Sequence, residues 1–187
     1  MKTKSAISVL IFLTSGIIPL LADSVPWISY PSASITGYGV YHFRKSFDLE
    51  NVPDQLVVHV SADNRYNLFV NGVRVCYGPA KGDLKTYKYD VIDIAGYLKS
   101  GKNVLAALVY NGGKDKPLSF ISSQTAFMLR FENSEYSWLN TDSTWKVFKN
   151  TSYKVITYNE MLFKERWFYG FYACGDGRRK ISTTVNG

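Results

Sequence analysis

Arg65-Tyr-Asn-Leu-Phe-Val-Asn-Gly-Val-Arg-Val-Cys-Tyr77 is the stretch on which the fold turns. Tyr66, Leu68 and Val70 alternate up to Asn71-Gly72, and Val73 to Tyr77 runs back. Asn and Gly tolerate the positive φ angles of a two-residue hairpin turn, so this pair joins two antiparallel strands. Similar runs extend in both directions. Upstream, Gln55 to Ala62 places Leu56, Val58, Val60 and Ala62 on one face and Gln55, His59 and Ser61 on the other. Tyr41 to Leu49 aligns Tyr41, Phe43 and Phe47. Downstream, Tyr87 to Ile94 reads as a strand, followed by one helical turn around Ala95–Leu98 that Ser100-Gly101 stops. Asn103 to Tyr110 is apolar on both faces, which predicts a central strand covered on both sides. Thr125 to Phe131 turns Phe127, Leu129 and Phe131 inward and Arg130 outward; Trp145 to Phe148 and Tyr153 to Tyr158 follow. Short strands separated by turn residues every 8 to 12 positions or so, with no useful helical period, predict an all-β fold, an antiparallel β-sandwich.

Composition agrees. The 187 residues are 46% apolar and 16% aromatic, with 14 tyrosines. That is material for one core, in residue types that pack on pleated surfaces. Residues 1–22 read as an export signal: Lys2 and Lys4 precede an apolar stretch from Ala6 to Leu21, and small Ala22 precedes polar Asp23 at the expected cleavage point. Gly16 and Pro19 interrupt that stretch, which falls short of the roughly 20 residues of a membrane span. The expected location is periplasmic or extracellular, with no membrane attachment after cleavage. The formal charge of +7 is scattered, since Lys81, Lys85 and Lys88 alternate with Asp83 and Asp90, and only Arg178, Arg179 and Lys180 cluster. A nucleic-acid surface needs a concentrated basic stripe, so no nucleic-acid partner is expected. Export permits a disulfide between Cys76 and Cys174, and two free thiols fit the sequence equally well. Residues 23–160 make up the expected sandwich. Residues 161–187 break its pattern: Phe163 to Tyr172 is dense in aromatics, and the polar end shows no closing strand. They read as a truncated linker, the start of a segment whose continuation is missing.

Catalysis is poorly supplied. A Ser-His-Asp arrangement needs a histidine held by a carboxylate, and the two histidines, His42 and His59, lie on outward strand faces. Glycoside hydrolysis needs two carboxylates across a sugar. Asp63, Asp83, Asp90 and Asp93 lie nearest the loops, and they read as turn and edge carboxylates. This chain alone is not expected to be an enzyme. No spacing suits zinc; calcium is the one cofactor for which the loop oxygens of Asp63 and Asn64 are candidates. Binding is better supplied, because sugar sites combine flat aromatic faces with side chains that fork to vicinal hydroxyls. Asp63, Asn64 and Arg65 sit at a strand-to-strand turn, Asp83 in a Gly-rich loop and Tyr87 just beyond; these five are the candidate carbohydrate-binding residues. The competing structural reading has Asp63 and Asn64 capping a turn, Arg65 paired with a neighbouring carboxylate, and Gly78-Pro79 turning the chain. Trp27, Trp138, Trp145 and Trp167 offer further stacking surfaces.

Four segments occur together in one order: Val60-Ser-Ala-Asp-Asn-Arg-Tyr-Asn-Leu-Phe-Val-Asn-Gly72, Gly78-Pro-Ala-Lys-Gly-Asp-Leu84, Tyr89-Asp-Val-Ile-Asp-Ile-Ala95 and Gly101-Lys-Asn-Val-Leu-Ala-Ala107. In that order and spacing they resemble the non-catalytic N-terminal β-sandwich of bacterial (Bacteroides-type) α-L-rhamnosidases. Trp27, Gly39 to Lys45 and Thr141 to Lys146 also fit, so the resemblance runs from about Trp27 to Thr157. It implies a galactose-binding-like jelly roll, an exported protein, a core-packing role for Trp145, and a rhamnose- or galactose-containing plant or host glycan as partner. Hydrolysis in that family resides in acidic residues of an α-helical toroid that follows the sandwiches, and no residue here corresponds to one. Tyr172-Ala-Cys-Gly-Asp-Gly177 is only loosely similar to the linking segment. The expected function is a non-catalytic accessory domain of an α-L-rhamnosidase-like glycoside hydrolase, working with a following catalytic domain or a separately encoded glycosidase. The alternatives are a free-standing secreted lectin-like module and a non-functional remnant of a split glycosidase gene.

Overall fold

The alternating segments become nine strands among the described residues. These are β1 (Gly39–Leu49), β2 (Val57–Asp63), β3 (Arg65–Val70), β4 (Val73–Gly78), β5 (Thr86–Asp93), β6 (Gly101–Asn111), β7 (Ala126–Phe131), β8 (Lys146–Lys149) and β9 (Ile181–Asn186). The structure, a computed structural model, describes residues 25–34, 37–80, 82–83, 85–117, 120, 122–153 and the strand 181–186. All strand pairings are antiparallel, in a five-stranded sheet ordered β4-β3-β6-β1-β8 and a four-stranded sheet ordered β7-β2-β5-β9. The architecture is the antiparallel β-sandwich that the alternation predicts.

The hairpin forms as its turn residues dictate, with φ of 51° at Asn71 and 85° at Gly72. Asn71 also ties the tip to the neighbouring strand. Its Oδ1 accepts from the Val104 amide at 3.0 Å, and its Nδ2 donates to the Tyr97 carbonyl and to Asn103 Oδ1. Asn103, itself fully buried, closes the corner through the Lys99 amide and carbonyl and the Gly101 carbonyl. A buried amide with this many partners offsets the cost of its own desolvation.

Between the sheets, Phe127 of β7 is the meeting point. Its ring centroid lies 5.4 Å from Phe43, 5.7 Å from Trp145 and 6.3 Å from Tyr66. Around it, Tyr41 and Phe47, Val58, Val60 and Ala62, Leu68 and Val70, and Leu129 and Phe131 are buried on their predicted faces. At the margin of the two sheets, β4 closes on β5 at Gly78. A Cβ there would stand 1.8 Å from Asp90 Oδ2, the oxygen that accepts from the Tyr66 hydroxyl at 2.7 Å. Gly78→Ala is expected to cost about 2 kcal/mol, since overpacking displaces a buried hydrogen-bonded carboxylate. A lowered urea midpoint with unchanged slope is the expected readout.

Several expectations need correction. The second strand starts at Val57 and not at Gln55, because the buried Leu56 spends its amide on Asp93 Oδ1 and its carbonyl on Ile94. The strand expected over Trp145 to Phe148 is Lys146–Lys149. β6 is central in its sheet, but Val104, Ala106, Leu108 and Tyr110 on its outer face are only half-buried. Cross-strand neighbours such as His42, Asn67 and Phe69 flank those positions, so an apolar outer row needs no second layer. Tyr153 is exposed and outside any strand, and 154–158 lie outside the described residues, as do the expected signal 1–22 and residues 161–180. Within the stretch read as lacking a closing strand, β9 pairs with β5, with Ile181 opposite Asp90 and Asn186 opposite Thr86. Its β-branched Ile181, Thr183, Thr184 and Val185 favour that state. Cys76 is buried and disulfide-bonded; Cys174 lies outside the described residues. Among the described residues no helix is long and apolar enough to cross a membrane.

Candidate functional site

β2 ends at Asp63 and β3 begins at Arg65, so Asn64 alone carries the chain from one sheet to the other. The Asp63–Asn64 and Gly78–Pro79 peptides are both cis. A change of sheet within one residue leaves three consecutive polar side chains at the end of the sandwich. There a solvent-open cleft with an empty volume of about 380 Å³ is lined by Asp63, Asn64, Arg65, Asp83, Tyr87 and Phe120, among others. All five sequence-predicted binding residues thus converge on one cleft.

Their chemistry divides. Asp63 is 2% exposed and heavily used. Its Oδ2 accepts from the amides of Ser123 (2.7 Å) and Gln124 (2.8 Å) and from the Tyr87 hydroxyl (3.1 Å), while Oδ1 accepts from Asn64 Nδ2 (2.6 Å). Asn64 Oδ1 accepts from the Gly112 amide. The carboxylate caps the approach to β7, a distant loop, where its own turn was expected. Asp83, exposed at the rim, accepts through Oδ1 from the amides of Lys85 and Thr86 and so shapes its own turn. The Tyr87 hydroxyl is pushed up to about 12, first by burial and then by the negative Asp63 beside it. It therefore stays a donor at neutral pH. Trp27 packs against the Tyr87 ring at 5.1 Å, which gives the end of the sandwich two adjacent aromatic side chains.

Arg65 departs from the expectation of a carboxylate partner. Among the described residues Lys45 forms an ion pair with Asp142, and His59 Nε2 lies 3.4 Å from a Glu132 carboxylate oxygen. Arg65 instead lies between rings, its guanidinium carbon 4.5 Å from the Phe120 centroid and 5.4 Å from that of Tyr77. One guanidinium nitrogen, Nη1, donates to the Pro79 carbonyl, and Nε is buried without an acceptor. Phe120 escaped the sequence reading because it sits in a loop without periodicity.

The remaining candidates lie apart from the cleft. His59 stacks on Tyr89 at 4.9 Å with its Nε2 3.4 Å from Glu132, and His42 meets Asn150 at 3.1 Å. Asp93 caps the turn after β5 through the Ala95 amide. Among the described residues no three His, Cys, Asp or Glu side chains converge as a metal site. Trp145 is buried and donates to the Asn140 carbonyl, Trp138 is exposed edge-on to Phe47, and Trp167 lies outside the described residues.

No protein-family model matches the chain, and no curated protein matches it. Solved structures do. A GH78 family rhamnosidase of Bacillus sp. GL1 is similar at a TM-score of 0.59 and 30% identity, over 66% of this chain and 13% of that chain. An α-L-rhamnosidase of Streptomyces avermitilis, solved with L-rhamnose, gives a TM-score of 0.47 and 22% identity over 65% of this chain and 12% of that one. A Pleurotus ostreatus lectin solved with GalNAc gives 0.33 and 18%, over 66% of this chain and 33% of that one. The likeness to the Bacillus rhamnosidase therefore involves most of this chain and a small portion of a much longer one.

Proposed function

We propose that this chain is a non-catalytic accessory β-sandwich of an α-L-rhamnosidase-like glycoside hydrolase, and that its cleft binds a rhamnose- or galactose-containing glycan. The observation that carries the reading is the asymmetric match to the Bacillus rhamnosidase, 30% identical over 66% of this chain but only 13% of that enzyme. What the two share is the size of one sandwich. The convergence of Asp63, Asn64, Arg65, Asp83 and Tyr87 on one cleft beside Trp27 supports binding. In this role the domain braces a catalytic domain, or a separately encoded glycosidase, and presents glycan to it. Export through residues 1–22, a periplasmic or extracellular location, a Bacteroides-type source and a Cys76–Cys174 disulfide belong to the same proposal. Calcium at Asp63 and Asn64 would compete with the Tyr87, Ser123, Gln124 and Gly112 donors for those side chains.

Calorimetric titration of the purified chain with L-rhamnose and D-galactose is the test. Saturable binding in the millimolar range is expected, weakened at least about tenfold by Trp27→Ala. The same preparation should leave an aryl rhamnoside intact. Heat-silent titrations with both sugars would remove L-rhamnose and D-galactose as the units the cleft recognises, and release of the aryl group would remove the non-catalytic half.

A further inference from the structure

Arg65 carries a positive charge that the protein answers only in part. The residue is 6% exposed, and its Nε–H is buried without an acceptor. No carboxylate among the described residues forms an ion pair with it. A buried cation with an unmade hydrogen bond is costly unless something pairs with it. The faces of Phe120 and Tyr77 supply part of that compensation and hold the guanidinium plane. They leave Nε without an acceptor, and Nε belongs to the guanidinium edge that meets a carboxylate through two parallel hydrogen bonds.

The acidic groups of the cleft are already occupied. Asp63 accepts from four donors, and Asp83 is exposed at the rim with Oδ1 committed to its own turn. Lys88 lines the same cleft and makes no ion pair among the described residues. A sugar hydroxyl would satisfy the orphan N–H, but only an anionic group would also satisfy the charge. We propose that the cleft takes a carboxylate-bearing sugar, a uronic acid residue, with its carboxylate on Arg65 and Lys88 beside it. This rests on the reading of the cleft as a glycan site and adds the chemical class of the glycan.

D-galacturonate and D-galactose differ only in carrying a carboxylate or a hydroxymethyl group, so titrating the purified chain with each isolates the charge. Galacturonate is expected to bind at least about tenfold more tightly. Its advantage should shrink as salt is raised, because cleft and ligand share solvent. The Nε–H resonance of Arg65 is expected to move with galacturonate and stay in place with galactose. Arg65→Lys keeps the charge but loses the planar fork, and should reduce the galacturonate advantage without abolishing it; should that variant not fold, the wild-type comparison decides alone. Galactose or L-rhamnose binding as tightly as galacturonate would overturn this inference and leave the glycan-binding reading standing. Binding of none of the three sugars would overturn both.

Discussion

Phe127→Ala is expected to destabilise the domain by about 4 kcal/mol, the middle of the range for emptying a buried aromatic site. Phe127 has no exposed surface, and its ring meets Phe43 and Tyr66 of the five-stranded sheet and Trp145 before β8. Removing it opens a void between the sheets that three large, buried rings cannot close without leaving their own positions. The backbone there is held as well, since the Phe127 amide and carbonyl each bond Ile28 at 2.9 Å. The remaining chain is thus poorly placed to relax into the void. Urea denaturation followed by tryptophan fluorescence measures the loss. A cost below about 2 kcal/mol would mean that the sheets collapse onto the void and that Phe127 is not the centre of the core.

Asp63→Ala is expected to cost about 3 kcal/mol, for a different reason. The substitution removes little apolar contact but leaves the amides of Ser123 and Gln124, the Tyr87 hydroxyl and Asn64 Nδ2 without their acceptor. Stranded donors in a poorly hydrated site cost more than the hydrogen bonds contributed when made. Hydrogen exchange offers a local readout: the Ser123 and Gln124 amides should lose protection before the core strands do. Asp63→Asn, which keeps one oxygen acceptor, should restore part of both stability and protection. If Asp63→Ala left exchange at 123 and 124 unchanged, the carboxylate would not be what holds the approach to β7. The same substitution frees Tyr87, so any glycan affinity of the cleft should fall with it.

The all-β class was legible because period-two alternation is a local property. Tyr66, Leu68 and Val70 needed only their own strand to show which way they face, and Asn71-Gly72 needed only its two φ angles to show a turn. Asp63, Asn64 and Arg65 were legible for a related reason, since a polar run between two alternating strands marks the turn that joins them. β9 was harder, since a short strand with Ser182, Thr183 and Thr184 reads as a polar tail until the edge of β5 is there to pair with it.

What these residues do was decided in three dimensions. A carboxylate's role depends on which donors surround it, and those of Asp63 come from positions 60 and 61 residues away. Arg65 shows the same limit from the other side. Sequence proximity to Asp63 suggests a pairing, but the chain changes sheets between them, and the guanidinium finds Phe120 and the Pro79 carbonyl instead. By itself the sequence determined the sandwich, the hairpin that anchors it and the residues that gather at its end. Only the tertiary structure decided that Asp63 spends both oxygens on the protein while Arg65 keeps one buried N–H without an acceptor, because hydrogen-bond partners and desolvation belong to the folded neighbourhood and not to spacing along the chain.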